Sequence, residues 1–102
     1  MKVKLSELAV FKLNHLLVYL DAEWGKSAKQ RFLVQLEAAM LSIAKFPRAF
    51  PRSKFHDIHK CVVTRQTSLY YRILSDRIEV ITVFDNRQDP EELDNEILRQ
   101  FG

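Results

Sequence analysis

Arg87 is the residue whose type and position best suit chemistry on a charged partner. It lies in the polar stretch that begins at Asp85 and Asn86, directly after the apolar run Ile78–Phe84. Loops after buried strands often carry function, and an arginine there can present its planar guanidinium to a phosphate or carboxylate. Alternatively, Arg87 pairs with Asp85 or Asp89 and only orders the turn. The sequence leaves both interpretations open.

A second candidate surface lies one strand earlier, at Tyr70, Tyr71 and Arg72. Because side chains alternate along a strand, Tyr70 and Arg72 share one face, and Tyr71 points to the other. Tyrosine and arginine together suit both stacking on nucleobases and contact with a protein. Tyrosine is also a common strand residue for packing alone. We therefore expect Tyr71 in the core and keep Tyr70 and Arg72 as candidates for binding a target.

Three potential metal ligands, His56, His59 and Cys61, are close in sequence. Zinc needs four ligands, or three and a water, at fixed geometry, and no further ligand is nearby in the sequence. We therefore predict no metal site and no cofactor. The sequence also shows no nucleophile beside a base and no glycine-rich phosphate loop. Its single cysteine excludes an internal disulfide and fits a reducing cytosol, which predicts a cytoplasmic protein.

Length and composition indicate one globular domain over residues 1–102. The chain is 47% hydrophobic and 28% charged, which allows a buried core and is not typical of a disordered protein. No apolar run approaches the roughly 20 residues that span a bilayer, so we expect no membrane partner. The net charge of +3 permits an acidic partner without requiring one.

Hydrophobic periodicity predicts the elements that position these residues. Apolar residues at spacings of three and four indicate two helices, with Trp24 buried at the tip where they meet. We expect Ser6 to cap the first helix and a capping box, Ser27 with Gln30, to open the second. The period then changes to two, which indicates strands, and Asp89 precedes a short C-terminal helix.

The predicted fold class is α+β, with a helical hairpin packed on a small antiparallel β-sheet and a short C-terminal helix. The element order is β-α-α-β-β-β-α. The predicted bounds of the first six elements are Lys2–Leu5, Glu7–Asp21, Ala28–Phe46, Ile58–Thr64, Leu69–Leu74 and Ile78–Phe84.

A second apolar stripe runs along the first helix, beside the one that faces the core. Leu8, Phe11 and Val18 form it. A domain with two apolar faces on one helix has one face left to cover. A partner protein, a homodimer or the C-terminal helix would each cover it.

The order of motifs resembles the RelE/ParE family of bacterial toxins from toxin–antitoxin modules. The resemblance runs from Lys2 to Leu93 and depends most on the segment Ser68–Pro90, an aromatic strand, a tight turn, an apolar strand and Asp-Asn-Arg-Gln-Asp-Pro. Trp24-Gly25 and Phe46-Pro47 are similar to features of the ParE branch.

The resemblance implies the toxin of a type II toxin–antitoxin, or plasmid stabilisation, module. ParE-type toxins bind DNA gyrase and trap its cleaved DNA complex, so recognition and not catalysis is expected. The expected target-binding residues are Arg87, Asn86, Arg72 and Tyr70. A cognate antitoxin is the expected second partner. The residues expected to bind it are Leu8, Phe11, Val18 and Arg77.

Two alternatives stay open. A RelE-like ribosome-dependent mRNA interferase would use Arg87 on the scissile phosphate. However, Leu93 falls where the terminal tyrosine of those nucleases is expected, and Ser68 where a second arginine is expected. Neither side chain can replace those groups, so we expect no catalytic residues. The other alternative is a family member that has lost toxicity and acts only as a binding module.

Overall fold

The computed structural model describes residues 1–55 and 57–101. The elements in chain order are β1 (Val3–Leu5), α1 (Glu7–Trp24), α2 (Lys26–Lys45), β2 (His59–Val62), β3 (Thr67–Ile73), β4 (Ile78–Asp85) and α3 (Pro90–Phe101). The predicted α+β fold with a helical hairpin and a short C-terminal helix is confirmed. No helix within residues 1–55 or 57–101 has the length and apolar character needed to cross a membrane.

The four strands form one mixed sheet in the order β1-β4-β3-β2. β3 pairs antiparallel with β2 and β4, as expected, whereas β1 pairs parallel with β4. β4 is therefore a central strand, which explains why it is apolar on both faces. The register between β3 and β4 shifts at one point. Tyr71 pairs with Val80 but Tyr70 pairs with Thr82, which leaves Ile81 as a β-bulge.

A single glycine connects the two helices of the hairpin. Gly25 ends α1 and begins α2, with φ of 89° and ψ of 174°, a conformation that is open almost only to glycine. Ser6 caps α1 as predicted, since its hydroxyl accepts a hydrogen bond from the Ala9 amide at 3.0 Å. The predicted capping box at Ser27 and Gln30 is wrong, because α2 already begins at Lys26 and has no side-chain cap.

The hairpin covers one face of the sheet. Its larger core cluster contains Ala9, Leu13, Phe32, Leu36, Ala39, Ile43, Cys61, Leu69, Tyr71, Ile78, Val80 and Val83. Leu20 packs against this cluster, but Trp24 does not, and Trp24 is 70% exposed. The expected burial of Trp24 is therefore wrong: α1 continues one turn past the last position at which the core can receive its side chains.

The other face of the sheet is covered by α3. A smaller cluster lies there, made of Ile58, Tyr70, Ile81, Phe84, Leu93 and Ile97. Polar contacts close its edge: the Lys12 ammonium contacts the Glu96 carboxylate at 2.8 Å and the Thr82 hydroxyl at 3.2 Å. Asp89 precedes α3 as predicted, and the Glu91 amide donates to the Asp89 carboxylate at 2.9 Å.

Candidate functional site

Arg87 lies on the surface just after β4, and Asp85 holds its side chain. The guanidinium donates from Nη2 to Asp85 Oδ2 at 2.7 Å and from Nε to Asp85 Oδ1 at 3.0 Å. These hydrogen bonds lower the pKa of the Asp85 carboxyl and raise that of Arg87. The Arg87 side chain is still 64% exposed. The arginine is thus oriented by Asp85, with part of its fork open to a ligand.

Backbone hydrogen bonds fix this strand-end turn against the β2–β3 turn. The Asn86 amide donates to the Gln66 carbonyl at 2.7 Å, and the Gln88 amide donates to the Asp85 carbonyl at 3.0 Å. Asn86 itself is exposed, and its side chain reaches the Arg65 carbonyl at 3.4 Å. The two loops therefore form one surface at this end of the sheet.

A groove of about 500 Å³ separates this surface from the tip of the helical hairpin. Its exposed walls carry Tyr19 and Trp24 from the end of α1, Arg31 from α2 and Arg87 from the strand end. Tyr19 is 51% exposed and close enough to Arg87 to interact with it electrostatically. We call this feature the tip groove. Sequence reasoning missed Tyr19 and Arg31 as site residues; the available signal was an aromatic residue off the core-facing stripe of α1.

Tyr70 and Arg72 do not join Arg87. Tyr70 is buried beneath α3, where its ring meets that of Phe84 edge to face at a centroid distance of 6.5 Å. Burial, followed by the nearby Asp94, raises the pKa of its hydroxyl. Arg72 lies at the opposite end of β3 and donates to Glu79 at 2.9 Å. Neither residue forms a continuous surface with Arg87 in this structure.

Tyr71 is a core residue on the hairpin side, as expected. Its hydroxyl donates to the Pro47 carbonyl, and its ring stacks on His59 at 5.3 Å. Burial raises the pKa of Tyr71 to about 12. His59 in turn places Nδ1 2.9 Å from the Phe50 carbonyl oxygen. Both side chains tie the segment that follows α2 to the sheet.

Ser68 and Leu93, the two positions where RelE-like nucleases are expected to carry an arginine and a tyrosine, are not accessible to a ligand. Ser68 is fully buried, and its hydroxyl has no hydrogen-bond partner among residues 1–55 and 57–101. Leu93 is buried under the sheet face as an anchor of α3. Neither can contact a phosphate beside Arg87.

The possible metal ligands are not arranged as a site. His56 lies outside the described residues. His59 is buried against Phe50 and Tyr71, and Cys61 is buried in the core, where burial raises the pKa of its thiol. In the part of the chain that the structure describes, no three His, Cys, Asp or Glu side chains are grouped to hold a metal ion.

The second stripe of α1 is largely exposed. Phe11 is 60% exposed and Val18 is 69% exposed, whereas Leu8 is half-buried. The Phe11 ring contacts that of His15 at a centroid distance of 4.4 Å. Arg77 lies at the β3–β4 turn, where it contacts Asp76 at 2.9 Å.

Comparison with known proteins gives one family. The family model described as the ParE toxin of the type II toxin–antitoxin system parDE matches residues 3–90. No curated protein sequence matches the chain.

Solved structures share the fold at low identity. A chain from a chromosomal ParDE toxin–antitoxin system of P. aeruginosa is 12% identical, with a TM-score of 0.71, over 83% of this chain and 95% of that chain. A copper-bound mutant toxin from Helicobacter pylori is 16% identical, with a TM-score of 0.60, over 84% and 94%. A conserved hypothetical protein from Helicobacter pylori is 14% identical, with a TM-score of 0.56, over 86% and 97%.

Proposed function

We propose that this chain, which belongs to the ParE toxin family of type II toxin–antitoxin systems, is a toxin that binds DNA gyrase and is neutralised by a cognate antitoxin. It acts by recognition and carries no catalytic residues. Binding of gyrase uses the strand-end turn with Arg87 and Asn86, which are exposed. Tyr70 becomes accessible to gyrase only in a form of the protein in which α3 leaves the sheet. Arg72, at the opposite end of β3, would contact gyrase separately from Arg87.

The observation that carries this proposal is the bidentate contact between Arg87 and Asp85. An arginine in this contact can bind an anion, yet it cannot move protons at neutral pH. Cleavage of RNA needs a base and an acid beside the phosphate. Leu93 and Ser68 are buried and cannot supply them. The tip groove places the exposed phenolic hydroxyl of Tyr19 near Arg87, so the experiment includes it.

The antitoxin surface is the exposed stripe on α1. Phe11 and Val18 offer apolar area, and Arg77 is a cation that suits an acidic segment. An amphipathic tail that folds on binding loses part of its contact energy to ordering, so it needs a large apolar surface of this kind. Charge on the tail would then set orientation and association rate more than affinity.

The target is tested by controlled expression in a susceptible bacterium, with DNA breaks and translation arrest measured separately. We expect DNA breaks, and in a purified assay we expect accumulation of the cleaved gyrase–DNA complex. Arg87→Ala should weaken this effect, whereas Arg99→Ala, which removes an exposed arginine of α3, should not. Site-specific mRNA cuts in a purified translation system that are lost in Arg87→Ala or Tyr19→Phe would overturn the proposal in favour of the nuclease alternative.

The antitoxin surface is tested by a paired substitution. Phe11→Ser with Val18→Ser should weaken antitoxin binding about tenfold or more. The matched control is Val34→Ser with Leu41→Ser, which removes two similarly exposed apolar side chains from α2. Equal affinity of both variants and the unchanged protein would contradict this assignment. Antitoxin binding without DNA breaks or translation arrest would identify a non-toxic binding module.

A further inference from the structure

The tip groove combines exposed aromatic rings with arginine side chains. Trp24 and Tyr19 are both more than half exposed, and Arg31 and Arg87 lie on the same groove. Exposed aromatic rings that lie together beside cations offer a surface on which flat groups can stack. The groove therefore suits a ligand that has flat apolar faces and negative charge.

From this geometry we infer that the tip groove binds a short segment of single-stranded nucleic acid, with bases stacked on Trp24 and Tyr19 and phosphates held by Arg31 and Arg87. Aromatic platforms beside cations are the usual means of binding single strands without sequence preference. This activity goes beyond the proposed function, because it needs neither gyrase nor an antitoxin.

The charges of the groove fit a phosphodiester strand. Arg31 is exposed, and within residues 1–55 and 57–101 its side chain makes no ion pair or hydrogen bond. Arg87 keeps part of its fork free while Asp85 holds it in place. Lys12 also lines the groove but is engaged by Glu96. Two phosphate contacts, from Arg31 and Arg87, are therefore expected.

Cationic and amide side chains beside the exposed rings favour a nucleic acid over an apolar peptide. Among the apolar residues that line the groove, Phe32, Val83 and Phe84 are already buried in the core and offer little area to a peptide side chain. Leu16 and Leu20 also line it but are half-buried against the core. Exposed glutamines, Gln35 and Gln66 among them, line the walls instead. Amide groups of this kind can form hydrogen bonds with base edges.

The chain contains one tryptophan, so its fluorescence reports directly on the groove. We expect a single-stranded oligodeoxythymidylate of about 12 nucleotides to quench Trp24 fluorescence on binding. This oligonucleotide lacks the 2′-hydroxyl, so binding is measured without cleavage of the kind a ribonuclease performs. Two phosphate contacts would release counterions from the strand, which predicts a slope of about −1.4 for the logarithm of the binding constant against the logarithm of the salt concentration.

Three variants test the roles of the residues. Tyr19→Ala should weaken binding about fivefold to 150-fold. Arg31→Gln should reduce the magnitude of the salt slope by about 0.7. Arg99→Gln, which removes the same charge outside the groove, should change neither quantity. Trp24→Ala should weaken binding as Tyr19→Ala does, measured through the anisotropy of a labelled oligonucleotide. Circular dichroism checks that each variant is folded.

Several results would overturn the inference. Absence of quenching by the oligonucleotide would exclude it, as would unchanged affinity in both Trp24→Ala and Tyr19→Ala. Equal binding of duplex DNA would show that phosphates alone are contacted and that no base stacks. Quenching by an acidic peptide and not by the oligonucleotide would identify the groove as a protein-binding surface. None of these outcomes depends on gyrase, so failure here is distinct from failure of the proposed function.

Discussion

On one face of the sheet, α1 and α2 together cover a continuous apolar cluster, whereas on the other face α3 covers a smaller one together with Phe55 and Ile58 from the segment before β2. The hairpin face is sealed by apolar side chains from two long helices. The α3 face relies on two buried anchors, Leu93 and Ile97, and on ion pairs at its edges. Lys12 and Lys54 supply these pairs to Glu96 and Asp94.

The difference shows how one small sheet can support both a stable core and a detachable cover. Apolar packing over two helices is cooperative with global folding, whereas a short helix with few contacts can open alone. Salt screens the exposed pair of Lys54 with Asp94 more than the half-buried pair of Lys12 with Glu96. We therefore expect α3 to open more readily than the hairpin, which would expose Tyr70.

The largest effect is expected from truncating a matched isoleucine on each face. Ile43→Ala on the hairpin face should lower the free energy of unfolding by about 2–5 kcal/mol. Ile97→Ala removes an equally buried side chain, but its global effect should be smaller, because α3 can detach while the rest stays folded. Urea unfolding measures the first quantity, and amide hydrogen exchange in α3 measures its local opening.

This comparison fails if both isoleucine variants lose the same global stability and α3 exchanges no faster in Ile97→Ala. In that event α3 folds as one unit with the hairpin, and Tyr70 does not become exposed by local opening.

Removing the hydroxyl from either of the two neighbouring tyrosines, which lie on opposite faces of the sheet, should have an intermediate effect on stability. Tyr71→Phe removes the hydrogen bond to Pro47 and should cost about 1 kcal/mol at neutral pH. Tyr70→Phe should cost less, since in the described residues no hydrogen bond of its hydroxyl is seen. Equilibrium urea unfolding near pH 7 measures both.

The pH dependence of the same variants sharpens the comparison. Because burial raises the pKa of Tyr71 from 10.0 to about 12, the unfolded chain ionises first. The stability from the neutral hydroxyl is complete below pH 10 and is lost as the pH rises towards 12. As the pH rises over this range, Tyr71→Phe should lose less stability than the unchanged protein. Tyr70→Phe should also lose less than the unchanged protein, but by a smaller difference. Equal alkaline losses in all three proteins would contradict the stated role of burial.

Periodicity predicted the elements well because their buried positions recur regularly. The two helices, the cap at Ser6 and the start of the C-terminal helix after Asp89 are local signals, and the sequence predicted them correctly. The parallel pairing of β1 with β4 and the bulge at Ile81 depend on distant backbone partners, so no local pattern shows them. The bulge matters, because it turns Ile81 and Thr82 towards α3 and so sets what that helix can contact.

The candidate site was predicted only in part. Arg87 at the end of a buried strand follows from sequence order, and so does its pairing with Asp85 as one of two alternatives. The tip groove does not follow, because Tyr19, Trp24 and Arg31 reach it through the packing of the hairpin on the sheet. Trp24 continues the spacing of the core stripe, yet periodicity cannot show where the underlying sheet ends.

The smallest effect on stability is expected at the hairpin tip, outside both faces. Trp24→Ala should change the free energy of unfolding by no more than about 0.5 kcal/mol, because the indole is mostly exposed. The adjacent Gly25→Ala is the matched comparison: no heavy atom beyond the neighbouring residues lies within 4 Å of the added Cβ, but φ of 89° is strained for alanine. It should cost about 1–3 kcal/mol. Urea unfolding followed by circular dichroism measures both, since fluorescence loses its reporter in Trp24→Ala. A loss of about 3–5 kcal/mol in Trp24→Ala, as for a buried aromatic, would mean that the indole folds back onto the hairpin in solution, which would close the tip groove to any ligand.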